Sequence, residues 1–397
     1  MHDDTAHIGR RLREIRSWRQ LSVRAAAELS GISYSYLAKL ERGDKAINSR
    51  RVLESLANTL RVAPSEITGA LNEPVDATSD ELHASIPDVV DALTGWQVDE
   101  VPDTPIRPWP EIHADCERLT KVLRPAADLA GQARLLPGLI RELLAAANDP
   151  ATERGALTGL VGAYKSAAYL AHDIGVSGLP TLAVERMRQV AERMDDPVWT
   201  TYAGYQRAQL LSGSNRRRQY ELAVGIADEP GARIETRGMA HLTAALSRAA
   251  QGDDDTAQTH LSEAAALAEQ LDADVSPWQQ TNFGRTNVGI WRTSIAVELG
   301  QGGKVDEIAS TLRPVGVSKS RQAAFWMDYG RGLLAEPRNR ARGVAALLKA
   351  EELAPQKVRT NVFVREAVAD HLRRARRDAG GRDLRGLAWR MGVAPNG

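Results

Sequence analysis

The stretch Ser22-Val23-Arg24-Ala25-Ala26-Ala27-Glu28-Leu29-Ser30-Gly31-Ile32-Ser33-Tyr34-Ser35-Tyr36-Leu37-Ala38-Lys39-Leu40-Glu41-Arg42-Gly43 decides the fold of the N-terminal region. Ser22 stands where a hydroxyl can accept the free N–H groups that open a helix, here 23–29. Gly31 is free to take the left-handed conformation that closes it. Ser33 can cap a second helix, 34–42, which Gly43 stops. Two short helices around a tight Gly-containing turn form a helix-turn-helix unit.

Working outward, Ile8, Leu12 and Ile15 are spaced i, i+4, i+7, the apolar stripe of a first helix with Arg10, Arg11, Arg13 and Arg16 on its outer face. Downstream, Asn48 or Ser49 opens a fourth helix with Val52, Leu53, Leu56, Ala57 and Leu60 inside, and Pro64-Ser65-Glu66-Ile67 opens a fifth. Residues 1–71 therefore read as a five-helix domain. The residues Ile8-Gly9, Leu21-Ser22, Ala26-Ala27, Ser30-Gly31-Ile32-Ser33, Leu37, Leu40-Glu41-Arg42-Gly43, Leu56-Ala57 and Leu60 resemble the XRE (lambda repressor and Cro-like) DNA-binding domain. The resemblance implies a third helix in the major groove, its first residues at base edges. Carried over by position, Tyr34, Ser35 and Lys39 would read bases: Lys39 donating to guanine, Ser35 to several edges, the Tyr34 ring touching a thymine methyl. Arg24, Ser33, Arg42, Lys45 and Arg50 would touch phosphates and set register. Val23 stands where many relatives carry Gln, which removes a Gln-mediated adenine contact. Two alternatives stay open: Tyr34 packing on Tyr36, and a helical bundle that has lost DNA binding.

The chain has 397 residues, more than the roughly 100 to 200 of one domain. Its 51 basic and 51 acidic side chains cancel, but not evenly along the chain. Residues 1–70 hold 12 Lys or Arg against 8 acids, residues 71–115 hold Arg107 against 11 acids, and residues 357–390 hold 10 basic against 4 acidic groups. The acidic stretch also carries Pro74, Pro87, Pro102, Pro105, Pro108 and Pro110, so 72–110 is expected to be an extended linker. Cys116 is the single cysteine, which excludes an intramolecular disulfide and fits a reducing compartment. With a start that lacks a signal peptide and no apolar run of the roughly 18 residues a membrane span needs, the expectation is a cytoplasmic protein without membrane contact. Ala, Leu and Arg recur at helical spacing without period-two β runs, so the class is all-α.

From 111 to 397 a repeat emerges. Ala171, Gly178, Ala183, Met187 and Val190 are spaced 7, 5, 4 and 3, and so are Ala245, Gly252, Ala257, Leu261 and Ala264. The set Ala296, Gly303, Ile308, Leu312 and Val315 follows more loosely; Trp326, Gly330, Leu333, Gly343, Leu347, Ala350 and Pro355 fit with one extra loop residue, and Trp199, Tyr202 and Ala203 start another. This resembles a degenerate tetratricopeptide pattern, which implies an α-solenoid with a concave groove. A DNA-binding head on such a body is similar to the RRNPP peptide-sensing regulators. That resemblance implies a cytoplasmic homodimer that binds an operator in double-stranded DNA and senses a short peptide. On the groove side the period places Lys165, His172, Arg207, Thr293, Met327 and Arg331, with Asn282 and Asn287 on another first helix. Two further readings remain: a small-metabolite effector, or a scaffold whose groove binds a partner protein.

No enzymatic chemistry is expected. The eight His show no i, i+4 pair and no His-Glu-x-x-His, so neither a metal nor a cofactor is called for. His113-Ala114-Asp115-Cys116 lacks a base with an orienting partner, and Cys116 reads as a small buried apolar residue. The basic tail reads as two helices, 362–377 and 384–391, that cap the solenoid; it could also bind DNA phosphates or dock on the acidic linker.

Overall fold

The structure, a computed structural model, describes residues 7–68, 77–103, 105–211, 215–375 and 381–393. Pro74 of the expected linker and Arg376 and Arg377 of the tail lie outside them. The described residues form helices joined by short turns, with no strand among them.

The head consists of α1 (His7–Trp18), α2 (Val23–Leu29), α3 (Tyr34–Glu41), α4 (Arg50–Leu60) and α5 (Pro64–Thr68). The serine caps are in place: Ser22 Oγ accepts from Ala25 N at 3.1 Å, Ser33 Oγ from Tyr36 N at 3.1 Å, and Ser49 Oγ from Val52 N at 3.3 Å. Gly31 adopts φ +62° between α2 and α3. At Gly9 a Cβ would lie 2.4 Å from the Leu40 carbonyl oxygen, so α1 and α3 cross in near backbone contact. Leu12, Leu37, Leu40, Leu56, Leu60 and Ile67 fill the space between the five helices, and Arg16 pairs with Glu41 on its edge.

The body begins earlier than the proline content suggests. Residues expected to be linker form α6 (Ala77–Thr94), with Pro87 inside it. Leu82, Val89 and Leu93, spaced i, i+7, i+11, are buried in the main core. That apolar stripe, packed on α8 (Leu129–Ala146), outweighs one missing N–H. Arg186 and Arg193 donate to the Leu93 and Val98 carbonyls at 3.0 Å and pin the end of α6 and the turn after it to the body. Before α8, α7 (Trp109–Arg118) runs into a π-helical turn, Leu119–Leu123.

Helix pairs then succeed one another in order: α9 (Glu153–Asp173) with α10 (Leu179–Arg193), α11 (Pro197–Leu210) with α12 (Arg216–Ala227), α13 (Ile234–Gln251) with α14 (Asp254–Ala268), α15 (Arg285–Glu298) with α16 (Gly302–Ser310), and α17 (Lys319–Leu334) with α18 (Arg340–Leu353). Each first helix also packs on the next first helix, the stacking of an α-solenoid. The spaced residues lie where the repeat requires: Ala171, Ala183, Met187 and Val190, and Ala245, Ala257, Leu261 and Ala264, are buried. Gly330 and Gly343 bring α17 and α18 together; a Cβ on Gly330 would be 3.0 Å from the Gly343 oxygen. The third set departs from its expectation. Because α16 ends at Ser310, Leu312 and Val315 fall beyond it, Val315 is exposed, and Val305 takes the buried position.

The chain ends in α19 (Pro355–Thr360), α20 (Val362–Ala375) and α21 (Arg382–Arg390), packed on α17 and α18 around Val364, Val368, Leu372, Leu384 and Leu387. The described tail docks on the body and the head rather than on the linker: Arg359 and Arg390 both bond Glu351 at 2.6 to 2.8 Å, and Phe363 joins the head's core. No described helix is long and apolar enough to cross a membrane.

Candidate functional site

No described residue covers the outer face of α3. Tyr34, Ser35 and Lys39 are exposed, whereas Leu37 and Leu40 on the opposite side are buried. Tyr34 and Tyr36 part company, as residues two apart on a helix must. Tyr36 is half-buried and its hydroxyl donates to the Ala46 carbonyl at 3.3 Å, while Tyr34 is 56% exposed. Arg24, Ser33, Arg42 and Lys45 surround this face and are exposed, Arg42 pairing with Asp44 at 2.8 Å in solvent. The face therefore offers hydrogen-bond donors to both bases and phosphates.

Arg50 is placed differently. Its backbone N and Nη1 donate to the Glu298 carboxylate at 2.7 and 2.6 Å, and its guanidinium lies 5.5 Å from the Phe363 ring centre. Glu298 is fully buried, with Arg331 on its other side; Arg331 also bonds Asp328 and donates to the Asn48 carbonyl at 2.7 Å. Burial opposes the charge on Arg50, but Glu298, Asp328 and Glu54 together raise its pKa. A second clasp joins Glu54 of α4 to Arg216 of α12 through a two-pronged pair at 2.6 to 3.1 Å. Ile47 N donates to Glu366 of α20 at 3.4 Å. The body thus holds the head by the start of α4 and leaves α3 open.

Inside the solenoid is a cavity of about 1170 Å³, lined by the α7 end and π turn, by α9, α11, α15 and α17, and by the loop 275–282. Trp109, Trp291, Leu129 and Met239 give it apolar walls; Arg124, Lys165, Tyr169, Tyr205 and Arg321 give it polar ones. Lys165 is buried, and its ammonium donates to the Gln279 carbonyl and lies 5.5 Å from the Tyr202 ring centre. Burial, aided by the charge of Arg124, lowers its pKa far below the ordinary lysine range. Burial likewise brings Arg321 down to about 10 and raises Tyr169 to about 12. At the rim, burial opposes ionisation of Asp173, but Lys357 at 3.0 Å and His172 hold its carboxyl at about 2. Cys116 also lines the cavity, half-buried, its thiol pushed up to about 11 by burial and Asp115; the neutral thiol is a poor nucleophile.

Of the expected groove residues, Lys165, Asn282 and Asn287 line this cavity. Asn282 does so from a left-handed backbone position before α15, not from a helix, and accepts from Ser318 N. His172 and Arg207 are exposed away from the lining. Thr293 is fully buried and bonds back to the Gly289 carbonyl at 3.3 Å; Met327 lies in the tail core; Arg331 holds the head. Helical period identifies the first helices but not which side of each turns to the groove, and these three side chains turn into packed interfaces. Arg124 follows the π-helical turn, outside the repeat helices, and has no period to read; Tyr169, one turn after Lys165, Tyr205, two residues before Arg207, and Arg321 lie on first helices, where the period marks the helix but not each residue that meets the cavity. The loop 275–282 has no period to read.

A helix-turn-helix domain family model matches residues 7–68. No curated protein matches the chain. Similar solved structures include ComR from S. thermophilus in complex with DNA and its signalling peptide ComS, 13% identical, covering 92% of this chain and 99% of that one with a TM-score of 0.29. The apo form of the competence regulator ComR from Streptococcus vestibularis is also 13% identical, covering 86% and 98% with a TM-score of 0.18. The family match falls on the capped helices α2 and α3. Residues 7–68 are therefore a helix-turn-helix domain.

Proposed function

We propose that the protein is a sequence-specific transcriptional regulator in which the head, 1–71, reads an operator while the helical body, from α6 onward, senses a short peptide in its cavity and dimerises. Tyr34, Ser35 and Lys39 read bases, and Arg24, Ser33, Arg42, Lys45 and Arg50 meet phosphates. Two copies would present their third helices about 34 Å apart, one turn of duplex.

One observation carries the sensing role. Helices α15 and α17 each reach from the cavity to the head: Asn287 and Trp291 line the cavity seven or more residues before Glu298, and Arg321 does so ten residues before Arg331. A ligand that binds the docked and undocked arrangements with different affinity shifts the balance between them, and only to that extent. Arg50 cannot hold Glu298 and a phosphate together, so operator binding exchanges one anion for the other. Titrating labelled operator with wild type and with Glu298→Gln tests this. The variant binds several-fold more tightly if the exchange occurs; equal affinity, with the variant's fold intact by circular dichroism, refutes it.

A further inference from the structure

Arg124, Lys165 and Arg321 are buried basic groups in the cavity lining, and none has a carboxylate in contact among the described residues. Arg124 donates from Nη1 to Ser166 Oγ at 3.1 Å and lies 5.6 Å from the Tyr169 ring centre, while its Nε is buried without a partner. Arg321 donates from Nε to Asn287 Oδ1 at 2.6 Å and lies 5.0 Å from the Trp291 ring centre, while one of its Nη atoms is buried without a partner. Lys165 has the Gln279 carbonyl and the Tyr202 ring. Among the described residues none of the three forms an ion pair, although the same cavity holds Asp173, which is engaged by Lys357. Trp291 Nε1 is another buried donor without a partner.

Buried charges are normally paired, because removing a cation from water costs more than a carbonyl or a ring face returns. All three line the same cavity together with Tyr169, which feels the charge of both Arg124 and Arg321, and Lys165 feels that of Arg124. The volume far exceeds that of a bare ion and suits a molecule with an apolar body. We infer that the cavity takes a ligand carrying a carboxylate on an apolar or aromatic frame, the carboxylate seated among Arg124, Lys165 and Arg321 and the frame against Trp109, Trp291 and Met239. This rests on the cavity being the sensory site, and it names what is sensed: a free organic acid or the C-terminus of a peptide.

The test uses two fluorescent probes that share one arene, the sulfonate 8-anilinonaphthalene-1-sulfonate and its uncharged parent N-phenyl-1-naphthylamine, titrated into the full chain. A charge-assisted site binds the sulfonate at least about tenfold more tightly than the parent. Arg124→Gln or Arg321→Gln removes that preference and leaves the affinity for the parent unchanged. The wild-type comparison stands by itself if either variant fails to fold. Equal affinity for the two probes, no binding of either, or a preference that survives both substitutions would overturn the anion site. Displacement of the sulfonate by N-acetyltryptophan but not its amide, or by a heptapeptide acid but not its amide, supports the site and tells a free acid from a peptide end. Operator binding separates this inference from the sensory one. Charge-dependent probe binding that leaves operator affinity unchanged upholds the anion site and sinks sensing, whereas an uncharged probe that shifts operator affinity as strongly as the sulfonate does the reverse.

Discussion

Lys39 and Arg50 belong to one small domain, but Lys39 is exposed while Arg50 is held by Glu298, and single substitutions separate the roles proposed for them. Lys39 is exposed near the end of α3 and makes no ion pair among the described residues. Lys39→Ala should cost about 1 to 3 kcal/mol on operator and relax one base position, with little loss on random duplex. Arg24→Ala should weaken both duplexes alike and lower the salt slope by about one. At the tail contact, Glu366 is pushed up to about 7 from an ordinary 4.5, chiefly by burial and further by Asp370, against the pull of Ile47 N, Arg373 and Arg365; Tyr36 and Lys45 border the same site. A carboxyl raised in the folded state stabilises fully below about 4.5 and loses that contribution as pH rises through about 7. Glu366→Gln should therefore match wild type in urea near pH 4.5 and exceed it by pH 8; the reverse order would contradict this placement. Ser22, Gly31 and Ser33 are legible in the sequence because a cap or a turn is decided within three or four residues. Arg331 is not, because its partners Asn48 and Glu298 lie 283 and 33 positions away.

At the scale of elements, α20 supports two structures at once. Its Val364, Val368 and Leu372 close the last solenoid core, while Phe363 enters the head's core under Arg50 and Arg331. Phe363→Ala should cost about 3 kcal/mol, felt at the head–body contact. Hydrogen exchange would show it as faster exchange at the start of α4 with α8 and α9 unaffected; a loss spread evenly over the body would count against the assignment. The solenoid is legible wherever small and large residues recur at fixed spacing, as in α9–α10 and α13–α14. It blurs at α16, a short helix that ends before the repeat does. The connector misleads for a related reason: proline density marks breaks, but an apolar stripe with a helix to pack on overrides a single Pro87.

Over the whole molecule, the neutral charge total conceals a division of labour. Basic groups cluster on the head and tail, acids on the segment between, and two largely buried ion pairs, Arg50 with Glu298 and Arg216 with Glu54, join head to body. These pairs are shielded from solvent, so moderate salt should weaken DNA binding far more than docking. The central claim is that α3 reads sequence. Fluorescence anisotropy of the full chain at physiological salt, on duplex from the region upstream of its own gene and on a shuffled duplex of equal composition, tests it most directly. The predicted result is a preference of at least about a thousandfold for the upstream duplex, reduced by Lys39→Ala. Equal affinity for the two duplexes, falling in parallel as salt rises, would contradict it.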